Sequence, residues 1–255
     1  MVIAVANNKG GVGKTTTTQA ILNGAQKLGK RTLGIDLDFQ GNLTFVMGID
    51  KPRGEQQTIK SAYELLRGEA PIKKVIKKTK SQGDIIPAFD NLADIDLDTT
   101  IDQQVIFRLR DQIAVIKNDY DVIVIDTHPG VNKATIAGLL AADSVIIPMC
   151  PDMYSIQGLD AALSDIGECQ KLNQNLKVAG VLFTKVRTRS TLQSEAITMM
   201  RAYCKANKIP IFKATISSSP AMEKVSFRRK NIFSVAGSSS SAADYKELLN
   251  ELGIK

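Results

Sequence analysis

Residues 2–22, VIAVANNKGGVGKTTTTQAIL, constrain the chain more than any other stretch. A β-branched apolar run ends in a turn holding Gly10, Gly11 and Gly13, and a helical pattern starts directly after it. Strand, glycine-rich turn and helix start, in that order, are the context a phosphate-binding loop requires. The glycines let the backbone curl so that its N–H groups and the helix N-terminus face an anion. Lys14 then reaches the β- and γ-phosphates of a nucleotide, and the Thr15 hydroxyl ligates Mg²⁺. The strict G-x-x-x-x-G-K-[ST] pattern is not met, because its first glycine position is Asn8, and a second lysine, Lys9, stands before the glycines.

Such a loop belongs to a sheet with helices on its faces, and the rest of the chain has that rhythm. Short apolar runs at 2–6, 32–36, 84–88, 121–126, 144–149 and 178–184 alternate with helical patterns at 15–28, 101–117, 156–173 and 191–207. Most runs are apolar on both faces, as in strands buried between two helical layers. The expected fold is α/β, a single-domain, doubly wound, mostly parallel sheet flanked by helices, with ligands at the carboxyl ends of the strands. With 255 residues, 44% of them hydrophobic, one domain spanning 1–255 is expected.

No apolar run approaches the roughly 18 to 20 residues that span a bilayer, and the N-terminus lacks the order of a signal peptide, so a cytoplasmic protein is expected. Cys150, Cys169 and Cys204 include no C-x-x-C pair, which argues against a disulfide framework, a zinc site or an iron–sulfur cluster. The formal charge of +7 is unevenly spread: residues 51–83 hold nine Lys/Arg against three acids, and residues 185–230 hold eleven against two. Basic excess confined to two segments of an otherwise acidic body points to a surface for a polyanion. The run at 72–83 reads equally well as a solvated face.

Two further constellations bear on phosphate chemistry. In GIDLDFQGN (34–42), Asp36 and Asp38 are two apart at a strand end, so both can face the phosphates from one side of the sheet's carboxyl edge. In YDVIVIDTHPG (120–130) a buried strand ends in Asp126, the Walker B pattern, whose carboxylate holds Mg²⁺ directly or through water.

With these residues the chain resembles the ParA/MinD family of deviant Walker ATPases, which carry K-G-G-x-G-K-[ST], and within it the short ParA, or Soj, type of partition ATPase. IIPAFDNLADIDL, SVIIPMCPDMYSIQGL and VAGVLFTKV carry the resemblance across nearly the whole chain. The family's D-x-D-P-Q-G-N segment matches with Phe39 in place of proline, and its D-x-P-P with His128 in place of the first proline.

The resemblance implies a Mg²⁺-dependent ATPase whose cofactors are ATP and Mg²⁺. It puts the nucleotide on Lys9, Gly10, Gly11, Val12, Gly13, Lys14, Thr15 and Thr16, with Thr184 and Lys185 near the adenine. Lys9 is implied to reach across a nucleotide sandwich dimer to the other subunit's phosphates, making Lys9, Lys14 and Asp38 the catalytic set. The implied metal set is Thr15, Asp36, Asp38 and Asp126, with Asp36 by the metal's water shell and Asp38 also orienting the attacking water. Arg187, Arg189, Arg228, Arg229 and Lys230 fall in regions that contact DNA in short ParA proteins. The implied partners are non-specific double-stranded DNA, a ParB-like centromere-binding protein and, on ATP binding, a second copy, in a nucleoid-associated cytoplasmic protein.

The loop begins within ten residues of the start, so no N-terminal helix-turn-helix is expected. The alternative is a MinD-like membrane-associated positioning ATPase, which needs a C-terminal amphipathic helix rich in Lys/Arg. SAADYKELLNELGIK has Tyr245, Leu248, Leu249 and Leu252 at helical spacing but mixed charges, so packing on the core is its simpler use and no membrane partner is expected.

Overall fold

Among the described residues eight strands form one sheet: β1 (Val2–Val5), β2 (Thr32–Leu37), β3 (Lys77–Lys78), β4 (Asp84–Ile86), β5 (Val122–Thr127), β6 (Ser144–Met149), β7 (Lys177–Val186) and β8 (Ile211–Ser217). Their order is β3-β4-β2-β5-β1-β6-β7-β8. Only β3 and β4 run antiparallel; every other neighbouring pair is parallel. The computed structural model describes residues 1–52, 59–79, 82–99, 102–187, 189–235 and 237–255. Residues 53–58, 80 and 81 of the basic segment, and residue 101 at the expected start of a helix, lie outside the described residues.

The side-chain alternation of β1 shows why both faces of the sheet are covered. Ile3 and Val5 pack into a cluster with Ile21 and Leu22 of the helix Lys14–Lys27 and with Tyr245 and Leu248 of the helix Ser240–Glu251. Val2, Ala4 and Ala6 pack into the opposite cluster, with Leu109, Leu140, Leu159 and Met200 of the helices Val105–Ile116, Lys133–Ala141, Ser155–Leu172 and Thr191–Ala206. A parallel strand buried this way has no polar face to show, hence the continuous apolar runs.

Each of the six expected strands is present, with ends displaced by up to two residues. β3 and β8 were not anticipated. β3 is two lysines at the sheet edge and carries no apolar signal. In β8, exposed Lys213 interrupts the run, because this edge strand buries Phe212, Ala214 and Ile216 on one face only.

The topology positions the site. The chain passes from β1 out to β2, returns to insert β5 between them, and then continues on the other side of β1 through β6 to β8. The carboxyl ends of β1, β5 and β2 therefore lie side by side at the point where the winding reverses, which is where open α/β sheets bind ligands.

Candidate active site

The turn after β1 is built for a backbone cradle. Gly11 (φ 72°) and Gly13 (φ 87°) both lie in the left-handed region, and Gly13 caps the helix Lys14–Lys27. No atom lies within 4 Å of where a Gly11 Cβ would stand, so glycine is required there by backbone conformation, on an open face. The loop is pinned from behind. The Thr184 hydroxyl donates to the Val12 carbonyl at 2.7 Å, the Asn7 amide donates to the Pro148 carbonyl at 2.8 Å, and Asn7 Oδ1 accepts the Lys9 N–H at 2.9 Å.

Lys14 folds back beneath this loop. Its Nζ donates to the carbonyls of Asn7 (3.0 Å) and Lys9 (2.9 Å). Burial holds its pKa below the ordinary lysine range, against the opposing pull of Asp126 and Asp38. A cation that has given up water and takes carbonyl dipoles as its hydrogen-bond partners in exchange is poised to gain from a phosphate.

Three carboxylates stand at the strand ends. β2 and β5 pair so that Asp36 lies opposite Asp126, and β1 and β5 so that Val5 lies opposite Asp126. Asp36 is fully buried and committed: Oδ1 accepts the Asp38 N–H at 3.1 Å, and Oδ2 accepts the Thr44 N–H and hydroxyl, both at 2.7 Å. Burial pushes its pKa up to about 7, with Asp38 adding to the rise and the Thr44 and Asp38 hydrogen bonds opposing it. Asp126 is also fully buried. Burial and then the charge of Asp36 drive its pKa well above the carboxylate range, while Thr15 and Lys14 pull it back. Its Oδ1 accepts the Thr18 hydroxyl at 3.3 Å, and Oδ2 has no hydrogen-bond partner among the described residues.

That orphaned oxygen, with the Thr15 hydroxyl beside it, is a hard oxygen donor set that fits Mg²⁺. Among the described residues no group of three or more His, Cys, Asp or Glu is arranged as an all-protein metal cage. Mg²⁺ that keeps its waters and binds through phosphates needs none.

The two buried carboxylates make a pH-dependent prediction. A carboxyl whose pKa is raised by folding binds its proton more tightly in the folded state. Its ionised form therefore destabilises the fold above the raised pKa, and the penalty is relieved as pH falls toward the ordinary value. For Asp36 that window runs from about 7 down toward 4. Asp126→Asn removes one of the two groups at nearly constant volume. Without Mg²⁺ or nucleotide it is expected to melt above the parent at pH 8, by ~2–4 °C for each kcal/mol relieved, with the gap narrowing toward pH 6. Thermal denaturation at the two pH values measures this, and a variant melting below the parent at pH 8 would contradict it.

Asp38 is buried and lines an open cleft of about 650 Å³, together with Gly11, Lys14, Thr15, Gln40, Asn42, Phe45 and Lys185. Its Oδ1 accepts the Gln40 N–H at 3.0 Å. Phe39 and His128, the two departures from the family pattern, stack on one another with ring centroids 4.7 Å apart and planes 27° from parallel. A second cleft of about 300 Å³, lined by Gly13, Thr16, Thr184, Lys185, Ser218 and Tyr245 among others, adjoins the first. Lys185, at φ 54°, borders both.

Lys9 is not part of the cleft wall. Its Nζ lies 3.4 Å from both Asp152 oxygens and from the Tyr154 carbonyl, over a surface where Met153 (86% exposed) and Tyr154 (60%) project into solvent.

The five candidate DNA-contacting cations come from two segments. Arg187 and Arg189 are exposed and follow β7, where Val186 pairs with Ser217 just ahead of the helix Pro220–Arg228. Arg228, Arg229 and Lys230 stand at that helix's far end, roughly 13 Å along its axis. Arg228 and Lys230 are exposed, but Arg229 is turned inward: its guanidinium lies 3.7 Å from the Phe45 ring centroid and 2.6 Å from Asp50 Oδ1. In this conformation its guanidinium is therefore paired within the protein.

Several residues of the site were not anticipated. Thr18 and Thr44 hold Asp126 and Asp36, and Asp152 holds Lys9. Thr18 sits in the quoted KTTTT run, four residues after Lys14, where helical spacing returns it to the same face. Thr44 and Asp152 carry no local signal.

A family model described as an AAA domain matches residues 1–178. The chain is 34% identical over 255 residues (98% of this chain, 97% of the relative) to the sporulation initiation inhibitor protein Soj of Bacillus subtilis strain 168. It is 34% identical over 206 residues (79% and 76%) to the chromosome partitioning protein ParA of Caulobacter vibrioides. Among solved structures it is similar, at a TM-score of 0.78 and 29% identity over 89% of this chain and 91% of that one, to cobyrinic acid a,c-diamide synthase from Mycobacterium smegmatis with bound ATP analog and magnesium.

Proposed function

The chain belongs to the ParA/Soj family of partition ATPases, and from that premise we propose that residues 1–255 act as one switch. MgATP closes two copies face to face, the closed dimer holds DNA irrespective of sequence, and hydrolysis prompted by a ParB-like partner releases it. ATP and Mg²⁺ are the ligands of the cleft. When bound, Mg²⁺ would supply positive charge to offset the negative charge of the phosphates. Lys14 neutralises the β- and γ-phosphates under the loop, and Asp38 orients the attacking water. Thr15 and Asp126 would hold the metal, with Asp36 behind them fixing the Asp38 backbone. Thr184 and Lys185 border the side on which the base would lie. This switch works on the nucleoid, in the cytoplasm.

The observation that carries the reading is the opposed placement of the two lysines. Lys14 is buried inside its own cleft, whereas Lys9 points out beside exposed Met153 and Tyr154. An outward lysine flanked by exposed apolar groups suits a second copy whose phosphates it meets. Against the MinD-like alternative stands the helix Ser240–Glu251, which spends Tyr245, Leu248 and Leu249 on the core and ties the Tyr245 hydroxyl to Thr17 at 3.2 Å. Among the described residues no helix is long and apolar enough to cross a membrane.

The test is DNA affinity across a salt series. Non-specific binding is driven by counterion release, so log K should fall with log[salt] at a slope near −0.9 per neutralised phosphate, and more steeply with ATP than without. Arg187→Ala, Arg189→Ala and Arg228→Ala should weaken binding to every duplex alike and flatten the slope, leaving ATP affinity unchanged. Filter binding with anionic liposomes in parallel measures it. Preference for liposomes, or indifference to these arginines, would reject the DNA surface.

A further inference from the structure

Phe39 and His128 stand where the family pattern has prolines, and the structure joins them. β2 and β5 are parallel neighbours whose last register pair is Leu37 with Thr127, so residues 38–39 and 128 leave the sheet edge side by side. The rings meet there, 4.7 Å between centroids and 27° between planes. Both residues are half-buried, and Phe39 also packs against the core cluster on the Ala4 face of the sheet.

Asp38 lies between two restraints. Before its side chain, its N–H is held by Asp36 Oδ1 at 3.1 Å; after it, the Phe39 ring is held by His128. Proline stiffens only the loop that contains it, by fixing its own φ. The ring pair acts differently, because it ties the loop after β2 to the loop after β5 and so sets Asp38 and Asp126 relative to each other. An offset aromatic contact of this kind has a preferred geometry and an interaction energy of its own beyond burial.

We propose that the Phe39–His128 stack is a positioning pair that holds the Asp38 carboxylate in its water-orienting place by clamping the catalytic loop to the Walker B loop. The inference rests on the reading of Asp38 given under Proposed function. Neither ring touches a reacting atom. The requirement is for a flat ring at position 128, not for an imidazole proton.

Steady-state ATP hydrolysis and binding of a non-hydrolysable ATP analogue separate positioning from binding. Phe39→Ala and His128→Ala should each lower kcat between about twofold and tenfold, the range that the energy of an aromatic pair converts to, with KM and analogue affinity unchanged. The double variant should be no slower than the worse single one. His128→Phe should restore kcat, and Phe39→Leu, which keeps apolar packing without a ring, should not. Parent-like kcat in both alanine variants, KM rising in step with the loss, additive losses, or a His128→Phe variant no faster than His128→Ala would each overturn the proposal. Asp38→Ala distinguishes the two levels. Parent-rate hydrolysis in that variant rejects the underlying reading of Asp38, whereas a dead Asp38→Ala beside parent-like ring variants rejects the clamp alone.

Discussion

Asp38→Ala is expected to bind MgATP with near-parent affinity and to hydrolyse it about a hundredfold or more slowly. Asp38 lines the cleft but lies outside the glycine turn that, with Lys14, is proposed to cradle the phosphates. Phosphoryl transfer depends on placing the nucleophile in line and neutralising charge, so losing the carboxylate removes placement and leaves the ground-state complex intact. The variant should accumulate as an ATP-bound dimer. Single-turnover hydrolysis, with light scattering to size the complex, measures both. Turnover at the parent rate would move the catalytic assignment away from Asp38.

Lys14→Ala is expected to abolish useful ATP binding. The ammonium is buried, with two loop carbonyls as partners and Asp126 and Asp38 as the charges that favour it. Removing one side of a buried charge pair costs about 2–5 kcal/mol, which is roughly 30-fold to several-thousand-fold in affinity. The loss is compounded because Asp126 loses a compensating charge. Lys14→Met keeps the aliphatic stem and controls for packing; it should lose affinity to the same extent. Lys9→Ala should differ in kind, because its Nζ lies on the outside against Asp152. That variant should bind ATP as a monomer and fail to dimerise. Calorimetric titration of the three variants is the measurement, and ATP affinity within about threefold of the parent in Lys14→Ala would refute the cradle.

How far the sequence carries the argument depends on whether a residue's partner is local. The loop after β1, Asp126, and Asp36 with Asp38 were legible because each ends a strand apolar on both faces, and such strands announce themselves. β8 was not, since an edge strand with exposed Lys213 has only half the signal. The commitment of Asp36 to Thr44 was hidden, because the carboxylate is satisfied from a short helix eight residues on. The contacts of Arg229 were hidden for a related reason: charge counts assume solvent, but Phe45 and Asp50 come from another part of the chain. The stack of Phe39 on His128 was equally out of reach, since only the register of β2 with β5 brings the two departures together.

The Arg229 contact reaches further than its own segment. Phe45 lines the cleft beside the glycine turn, and the guanidinium stacked on it belongs to the basic stretch that follows the helix Pro220–Arg228. A ligand that requires Phe45 elsewhere must break this stack, and so must a ligand that draws Arg229 outward. When both require it, the free energy of breaking it is needed once, and the two ligands bind with positive cooperativity. When one requires the stack open and the other closed, they oppose each other. In either case linkage is reciprocal: the factor by which nucleotide changes the affinity for polyanion equals the factor by which polyanion changes the affinity for nucleotide.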